Sequence, residues 1–416
     1  MRQVRRELSR IRHAPVAGCL PQILGGLKVR LFYLALLPLL LSLLVVAGTS
    51  IVPLRCTTVS IRGDDFLING RPTYAGLAWH GHRIEGLLMN SRMVQGVYDD
   101  LDPQTAARWA YPDTGRWDPA RNTREFLAAM PKWRCHRPLS FTINLKGASL
   151  EGYSKGQPWI NSAFEPGGRL RPAYFERLRA ILDFADELGM APIVGYFYFG
   201  QDERLLDEAA VVRAVDDATN LLLDGGWRNA LVEIANETNP NYNYAILRPN
   251  RVHELIARVK GTTRDGRRLL VSTFYDGGDI PPGEEVVRAA NFLLIHDNGV
   301  SDPDRIRGMV RQTRSVPGHA AKPALFNEED HFNFDKPMNN CIAALSEHAS
   351  WGYFDFRMRG EGFEDGFQSV PVDRGIGSER EVGFFRLISQ ITGYDPEAPG
   401  DRPPVDDKDE KKGDAK

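Results

Sequence analysis

The chain has 416 residues, 42% of them hydrophobic and 25% charged, with a formal net charge of −2. That size holds one large domain or two ordinary ones, and the composition is that of a globular protein. The near-neutral balance excludes a global basic field for nucleic acid. The four cysteines, Cys19, Cys56, Cys135 and Cys341, lack C-x-x-C spacing, which excludes a zinc ribbon or a disulfide scaffold and reads as buried thiols.

Residues 1–30 are basic, with Arg2, Arg5, Arg6, Arg10, Arg12, Lys28 and Arg30. Residues 31–54 carry no charge, and a charge-free run of about 20 residues is long enough to span a bilayer. The sequence therefore predicts a basic cytoplasmic N-terminus over 1–30 and a transmembrane anchor or signal segment over 31–54, with the C-terminal bulk outside the cytoplasm. Cleavage near Val46-Ala47-Gly48 would release a secreted protein instead.

Residues 59–74 contain Asn69-Gly70 between two β-type runs, a strong hairpin signal. Residues 73–79 then read as a first buried strand. From there strands alternate with amphipathic helices. Strands are predicted over 139–145, 191–199, 231–235, 269–274, 292–296, 323–326 and 353–358. Helices are predicted over 172–188, 205–223, 252–259, 284–290, 303–313, 337–348 and 378–391. The long gap after the first strand takes a helix over 122–133, where Asn122 and Glu125 have capping-box spacing. Eight such units over 57–394 predict an α/β fold, a (β/α)8 TIM barrel with an N-terminal β-hairpin. An open doubly wound sheet is the competing architecture, but no G-x-G-x-x-G follows the first strand. The tail, 395–416, is charged, nearly free of apolar residues after Val405, and expected to be disordered.

In a barrel the C-terminal strand ends meet at one face. By this reading strand one delivers Trp79 and His80, strand two Asn144, strand three Tyr198, and strand four Asn236 and Glu237. Strand six delivers His296 and Asn298, strand seven Glu328, and strand eight Asp355. Glu237 and Glu328 lie across the barrel mouth, so both can address one bond. Glycoside hydrolysis requires such a pair: an acid for the leaving oxygen and a carboxylate to attack or to activate water. Glu329 competes with Glu328, and the register of strand seven decides between them; Glu328 is the expected partner. Asp330 and His331 beside it read as a solvated loop. Trp109, Tyr111, Trp117, Tyr153, Trp159, Tyr242 and Tyr244 read either as sugar-stacking rings or as packing.

With these residues in place, the chain resembles the clan of retaining (β/α)8 glycoside hydrolases that includes the family 5 cellulases and mannanases. The resemblance rests on Asn236-Glu237 ending strand four, Glu328 ending strand seven, His296 on strand six and the opening segment 66–72. It implies that Glu237 is the acid/base, Glu328 the nucleophile, and Asn236 a hydrogen-bonding partner of the sugar 2-hydroxyl. The implied partner is a carbohydrate, and neither a cofactor nor a metal is implied. The chain departs from the clan's pattern at the end of strand two, where Asn144 and Leu145 stand instead of an Arg. It departs again on strand eight, where Phe354, Asp355 and Phe356 replace a Trp, and after strand six, where Asn298 replaces an aromatic. Two other readings compete. His80-Gly81-His82 with Asp355 has the spacing of a metal-dependent amidohydrolase barrel, but residues 269–275 hold no His and strand four no Lys. The other is a carbohydrate-binding barrel without catalysis, against which the carboxylate pair argues.

Overall fold

The computed structural model describes residues 55–393, apart from 147–157, 162, 240–241 and 276–279. The predicted anchor or signal segment and the charged tail lie outside the described residues. Among those residues no helix is long and apolar enough to cross a membrane.

The chain opens with a small antiparallel sheet, β1 (Val59–Arg62), β2 (Asp65–Ile68) and β3 (Arg71–Pro72). Ile68 pairs with Arg71 across the predicted turn, where Asn69 and Gly70 have φ of 53° and 76°. A tight two-residue hairpin of this hand needs positive φ at both positions, and Asn-Gly supplies it at little cost. A second hairpin follows, β4 (Ala78–Trp79) with β5 (His82–Arg83).

This hairpin corrects the expected first strand over 73–79. Gly76 takes a positive φ and Leu77 N–H donates back to Tyr74, so the run turns rather than extends. The first barrel strand is β6 (Asn90–Val94), N-S-R-M-V, buried along its whole length. Its polar first half hides it from a hydrophobicity pattern.

The other barrel strands fall close to expectation. They are β7 (Ser140–Asn144), β8 (Ala191–Phe197), β9 (Leu231–Ala235), β10 (Leu270–Ser272), β11 (Leu293–His296), β12 (Ala324–Glu328) and β13 (Gly352–Tyr353). Six pair in parallel in the order β10-β9-β8-β7-β6-β13, and β11 pairs in parallel with β12. Parallel bridges Leu325–Ser350 and Glu329–Tyr353 join β12 to β13. Asn291 joins the lead-in of β11 to Val271 of β10 by two hydrogen bonds, 2.9 and 3.0 Å. The eight parallel strands among the described residues thus close into a ring.

Helices α1 (Pro119–Cys135), α2 (Pro172–Leu188), α3 (Glu208–Asp224), α4 (Val252–Gly261), α5 (Glu284–Ala289), α6 (Pro303–Arg314), α7 (Asn340–Ser346) and α8 (Glu379–Ile391) follow the eight strands in turn. Helix α1 begins earlier than predicted. Asp118, not Asn122, caps it by accepting from Arg121 N–H, and Pro119 occupies the first turn. Asn122 lies inside the helix and donates to the Gln95 carbonyl at 2.7 Å. Of the described cysteines only Cys341 is buried; Cys56 and Cys135 are exposed, contrary to expectation.

The N-terminal sheet packs where the strands begin. Phe66 is fully buried against Phe292, which leads into β11, and Val59 N–H bonds the Arg228 carbonyl just before β9. The opposite ends of the strands carry the polar cluster described next.

Candidate active site

Register aligns Asn144, Gly195, Glu233 and Ser272 in one row across β7, β8, β9 and β10. A Cβ at Gly195 would lie 2.1 Å from Asn144 Oδ1 and 3.1 Å from Glu233 Oε1. Glycine therefore makes room for two polar side chains from the flanking strands. Glu233 is fully buried, and Asn327 Nδ2 of β12 donates to its Oε2 at 2.9 Å.

Arg92 of β6 enters the same space and is wholly buried. Its Nη1 lies 3.5 Å from Glu233 Oε2 and its Nε 3.3 Å from Glu328 Oε1. Its Nη2 donates to Asn236 Oδ1. One guanidinium fork thus ties strands one, four and seven together, a geometry that a planar multi-donor head provides and an ammonium does not.

Above this layer, Glu237 and Glu328 come together as predicted, with His296 between them. His296 Nδ1 is 3.1 Å from Glu237 Oε1 and also contacts Glu328 Oε2. Its Nε2 lies 3.2 Å from Asn327 Oδ1. Because Asn327 spends its amide N–H on Glu233, its Oδ1 is an acceptor, so Nε2 carries a proton. Nδ1 faces two carboxylates and carries one as well. The ring stacks on Phe274 at 3.4 Å between centroids.

The ionisation behaviour follows the contacts. Burial pushes the Glu328 carboxyl up, but Arg92 and then His296 outweigh it and hold Glu328 below the ordinary carboxylate range. Burial would lower His296, yet Glu328 and Glu237 raise it. Burial also opposes the charge on Arg92, and Glu328 and Glu233 more than restore it. At Glu233 burial prevails over Arg92 and the carboxyl is raised.

Glu237 adopts φ of 48°, a left-handed conformation uncommon outside glycine and concentrated at functional sites. Asn298 Nδ2 is 3.4 Å from Glu237 Oε1. Tyr242 holds the turn by donating to the Asn236 carbonyl at 2.7 Å. With its Oδ1 committed to Arg92, Asn236 points its amide Nδ2 away, and that buried donor has no acceptor among the described residues. Tyr198 is buried after β8, within electrostatic reach of Arg92.

Trp79 and His80 are not brought to this cluster. They belong to the β4–β5 hairpin, whose Arg83 pairs with Asp65 and meets His348, both on the side where the strands begin. Sequence reasoning missed Arg92, Glu233 and Asn327. The signal was available at Glu233, a charged residue inside an otherwise apolar strand.

Glu329 points elsewhere. Asn327 and Glu328 both reach the cluster, across a register shift between β11 and β12, and the residue after them turns to other partners. Glu329 is buried and bonds His331 Nδ1 at 2.8 Å and Asn340 Nδ2 at 3.1 Å. The loop expected to be solvated is thus anchored. Hydrogen bonds to Asp330 and Glu329 push His331 up to about 10.

The aromatic residues expected at the rim are mostly packing. Trp109 and Trp159 join Tyr98 and Val370 in a buried cluster, and Trp109 donates to Asp100 at 2.7 Å. Tyr153 lies outside the described residues. A cavity of about 720 Å³ opens beside the eighth strand, bordered by Arg108, Phe356, Arg357, Arg359 and Phe363. Among the described residues two groups offer atoms close enough to hold a metal ion: Glu237 with His296 and Glu328, and Glu329 with Asp330 and His331, each set within 4.8 Å.

No family model matches this chain, and no curated protein matches it. Solved structures to which this chain is similar include a Bacteroides vulgatus chain classed as a glycoside hydrolase, at 14% identity and TM-score 0.46; the alignment covers 80% of this chain but only 61% of that one. An endo-1,4-β-mannanase from Rhizomucor miehei aligns at 10% identity and TM-score 0.47, covering 81% of this chain and 99% of that one. A family 5 xyloglucan-specific endo-β-1,4-glucanase from a metagenomic library aligns at 11% identity and TM-score 0.44, covering 74% and 96% respectively.

Proposed function

We propose that the chain is a retaining glycoside hydrolase in which Glu328 is the nucleophile and Glu237 the acid/base. The observation that carries this reading is the buried pair itself. Glu328 is held ionised between Arg92 and His296, within 4.8 Å of an oxygen of Glu237. An oxygen-to-oxygen approach this close is compatible with the short carboxyl separation of retaining enzymes, about 5 Å.

Glu328 attacks the anomeric carbon while Glu237 gives its proton to the leaving oxygen. Glu237 then takes a proton from the water that displaces Glu328. Arg92 and His296 set two positive charges against the carboxylates of Glu233, Glu237 and Glu328. The first step requires a proton on Glu237. The unspent Nδ2 of Asn236 is the donor for the sugar 2-hydroxyl. With Glu328 and Glu237 raising its pKa, His296 serves in this reading as a cation beside the carboxylate pair.

The test is hydrolysis of a panel of aryl glycosides and polysaccharides by the full chain. On any substrate it cleaves, Glu328→Gln abolishes turnover and leaves sugar binding intact, and proton NMR finds the first-formed product with retained anomeric configuration. Turnover by Glu328→Gln, or an inverted product, overturns the assignment.

The basic stretch 1–30 and charge-free 31–54 support a membrane anchor with the catalytic domain outside the cytoplasm, or a secreted form after cleavage. Protease treatment of intact cells tests this, since an external domain is digested and an internal one survives.

A further inference from the structure

The cavity of about 720 Å³ beside the eighth strand takes no part in the reaction proposed above. Its walls come from the segment between β6 and α1 and from the segment between β13 and α8. β6 and β13 are parallel neighbours, so both segments leave the face where the strands finish, the face that carries Glu237 and Glu328. The volume falls within the range of small-molecule sites, about 300–1,000 Å³. Phe356 and Phe363 are half-buried in its wall, with Phe354 and Tyr111 against them at 5.3 and 6.1 Å between centroids. Rings held in this way offer an apolar surface to the C–H side of a sugar.

The charge of the lining is one-sided. Arg108, Arg357 and Arg359 border the cavity against a single acid, Glu361. That acid is spent elsewhere: both its oxygens accept from Arg380 of α8, and Met358 N–H donates to it at 2.6 Å. Glu364 and Asp365 belong to the same loop but not to the lining, and Asp365 Oδ2 accepts from Gly362 N–H at 3.2 Å. Arg357 directs Nε and Nη2 at the backbone carbonyls of Asp365 and Pro371, which holds the side chain in place with dipoles. It forms no ion pair among the described residues, although Asp365, Glu361 and Glu364 act on it at longer range. Arg359 is exposed and makes neither an ion pair nor a hydrogen bond among the described residues.

We propose that this cavity is a subsite for an acidic sugar, whose carboxylate or sulfate ester is held by Arg359 together with Arg108 and Arg357. Guanidinium groups match the oxygens of such anions and lose less hydration than an ammonium does. A neutral sugar would use the rings and leave the arginines unspent; an acidic one uses both. The proposal rests on the hydrolase reading and names its substrate class, an anionic rather than a neutral poly- or oligosaccharide.

The test compares ligands that differ in charge alone. Oligomers of galacturonic, glucuronic and mannuronic acid are titrated into the full chain by calorimetry, beside the same oligomers with their carboxyls reduced to hydroxymethyl groups. Sulfated galactan oligomers and their desulfated forms make the second arm, and the arm that binds names the anion. An acidic ligand should bind about tenfold or more tighter than its neutral counterpart, with a preference that shrinks as salt is raised. Arg359→Gln should weaken binding of that ligand about fivefold or more and leave the neutral counterpart unchanged. Arg108→Gln provides a second variant. Equal binding of charged and neutral forms, binding of neither in both arms, or a charge preference that survives in both variants overturns the subsite. The hydrolase reading fails separately: an acidic ligand that binds through Arg359 and is never cleaved confirms the subsite and removes the enzyme. Cleavage confined to neutral substrates, with retained configuration, keeps the enzyme and removes the subsite.

Discussion

Arg92 and His296 each hold three members of the cluster. Arg92 is buried and meets Glu233, Glu328 and Asn236 at once. Removing its charge, as in Arg92→Met, strands two carboxylates and is expected to cost about 3–5 kcal/mol of stability. Arg92→Lys keeps the charge but loses the fork, so it should fold while kcat drops by about 10²-fold through misplacement of Glu328. The pH profile separates this from a simple loss of structure. Burial raises Glu328, and Arg92 and His296 lower it further than burial raises it. Its ionised form is therefore kept as pH falls until the depressed pKa is reached. Weakening the Arg92 contact raises that pKa, so the acid limb of kcat/KM should move to higher pH in Arg92→Lys. An acid limb that stays in place would remove Arg92 from the control of Glu328. The two proposed catalytic carboxylates were legible in the sequence because each ends an apolar run. Arg92 was not, because Asn90-Ser91-Arg92 has the composition of a loop. It becomes a strand only when partners from strands four and seven, far along the chain, satisfy its polar groups.

Strand β8 shows the same dependence at the scale of an element. Its seven residues are all buried, and its one glycine, Gly195, faces the side chains of Asn144 and Glu233. A methyl group there would meet Asn144 Oδ1 at 2.1 Å, well inside contact distance. Gly195→Ala is expected to destabilise by about 1–3 kcal/mol through overpacking, read as a lower urea midpoint at unchanged slope. It should also disturb activity, since Glu233 is held by the Arg92 that meets Glu328. Full activity and full stability together would mean that the row across β7, β8 and β9 tolerates a side chain, against the packing argued above. The strand was predictable from its apolar residues; the role of its glycine was not, because it depends on register between strands. Helix α1 teaches a related lesson. Capping-box spacing at Asn122 competed with an Asp-Pro start four residues earlier, and the Asp118 cap won. Asn122 is instead spent on tying the helix to the loop after β6.

At the scale of the whole molecule the barrel separates stability from chemistry by face. The N-terminal sheet covers the end where the strands begin, and the carboxylate cluster occupies the end where they finish. Counting eight strands from the sequence recovered the architecture, even though the first was misplaced by one hairpin, because the seven later units have clear βα periodicity. That misplacement moved Trp79 and His80 to the wrong face, which is where the expected substrate contacts failed. The separation yields a sharp prediction for Phe66. Its ring is fully buried, 5.9 Å from Phe292 between centroids, at the end of the barrel where the strands begin. Phe66→Ala leaves a cavity and should cost about 3–5 kcal/mol. Assayed well below its lowered melting temperature, the variant should keep the native kcat and KM, because no strand end on the far face has moved. Arg92→Lys should show the reverse pattern, a large loss in kcat with a smaller loss in melting temperature. Were Phe66→Ala to lose kcat in the folded state, the two faces would be coupled through the barrel, and the sheet at the bottom would have to be counted among the elements that position Glu237 and Glu328.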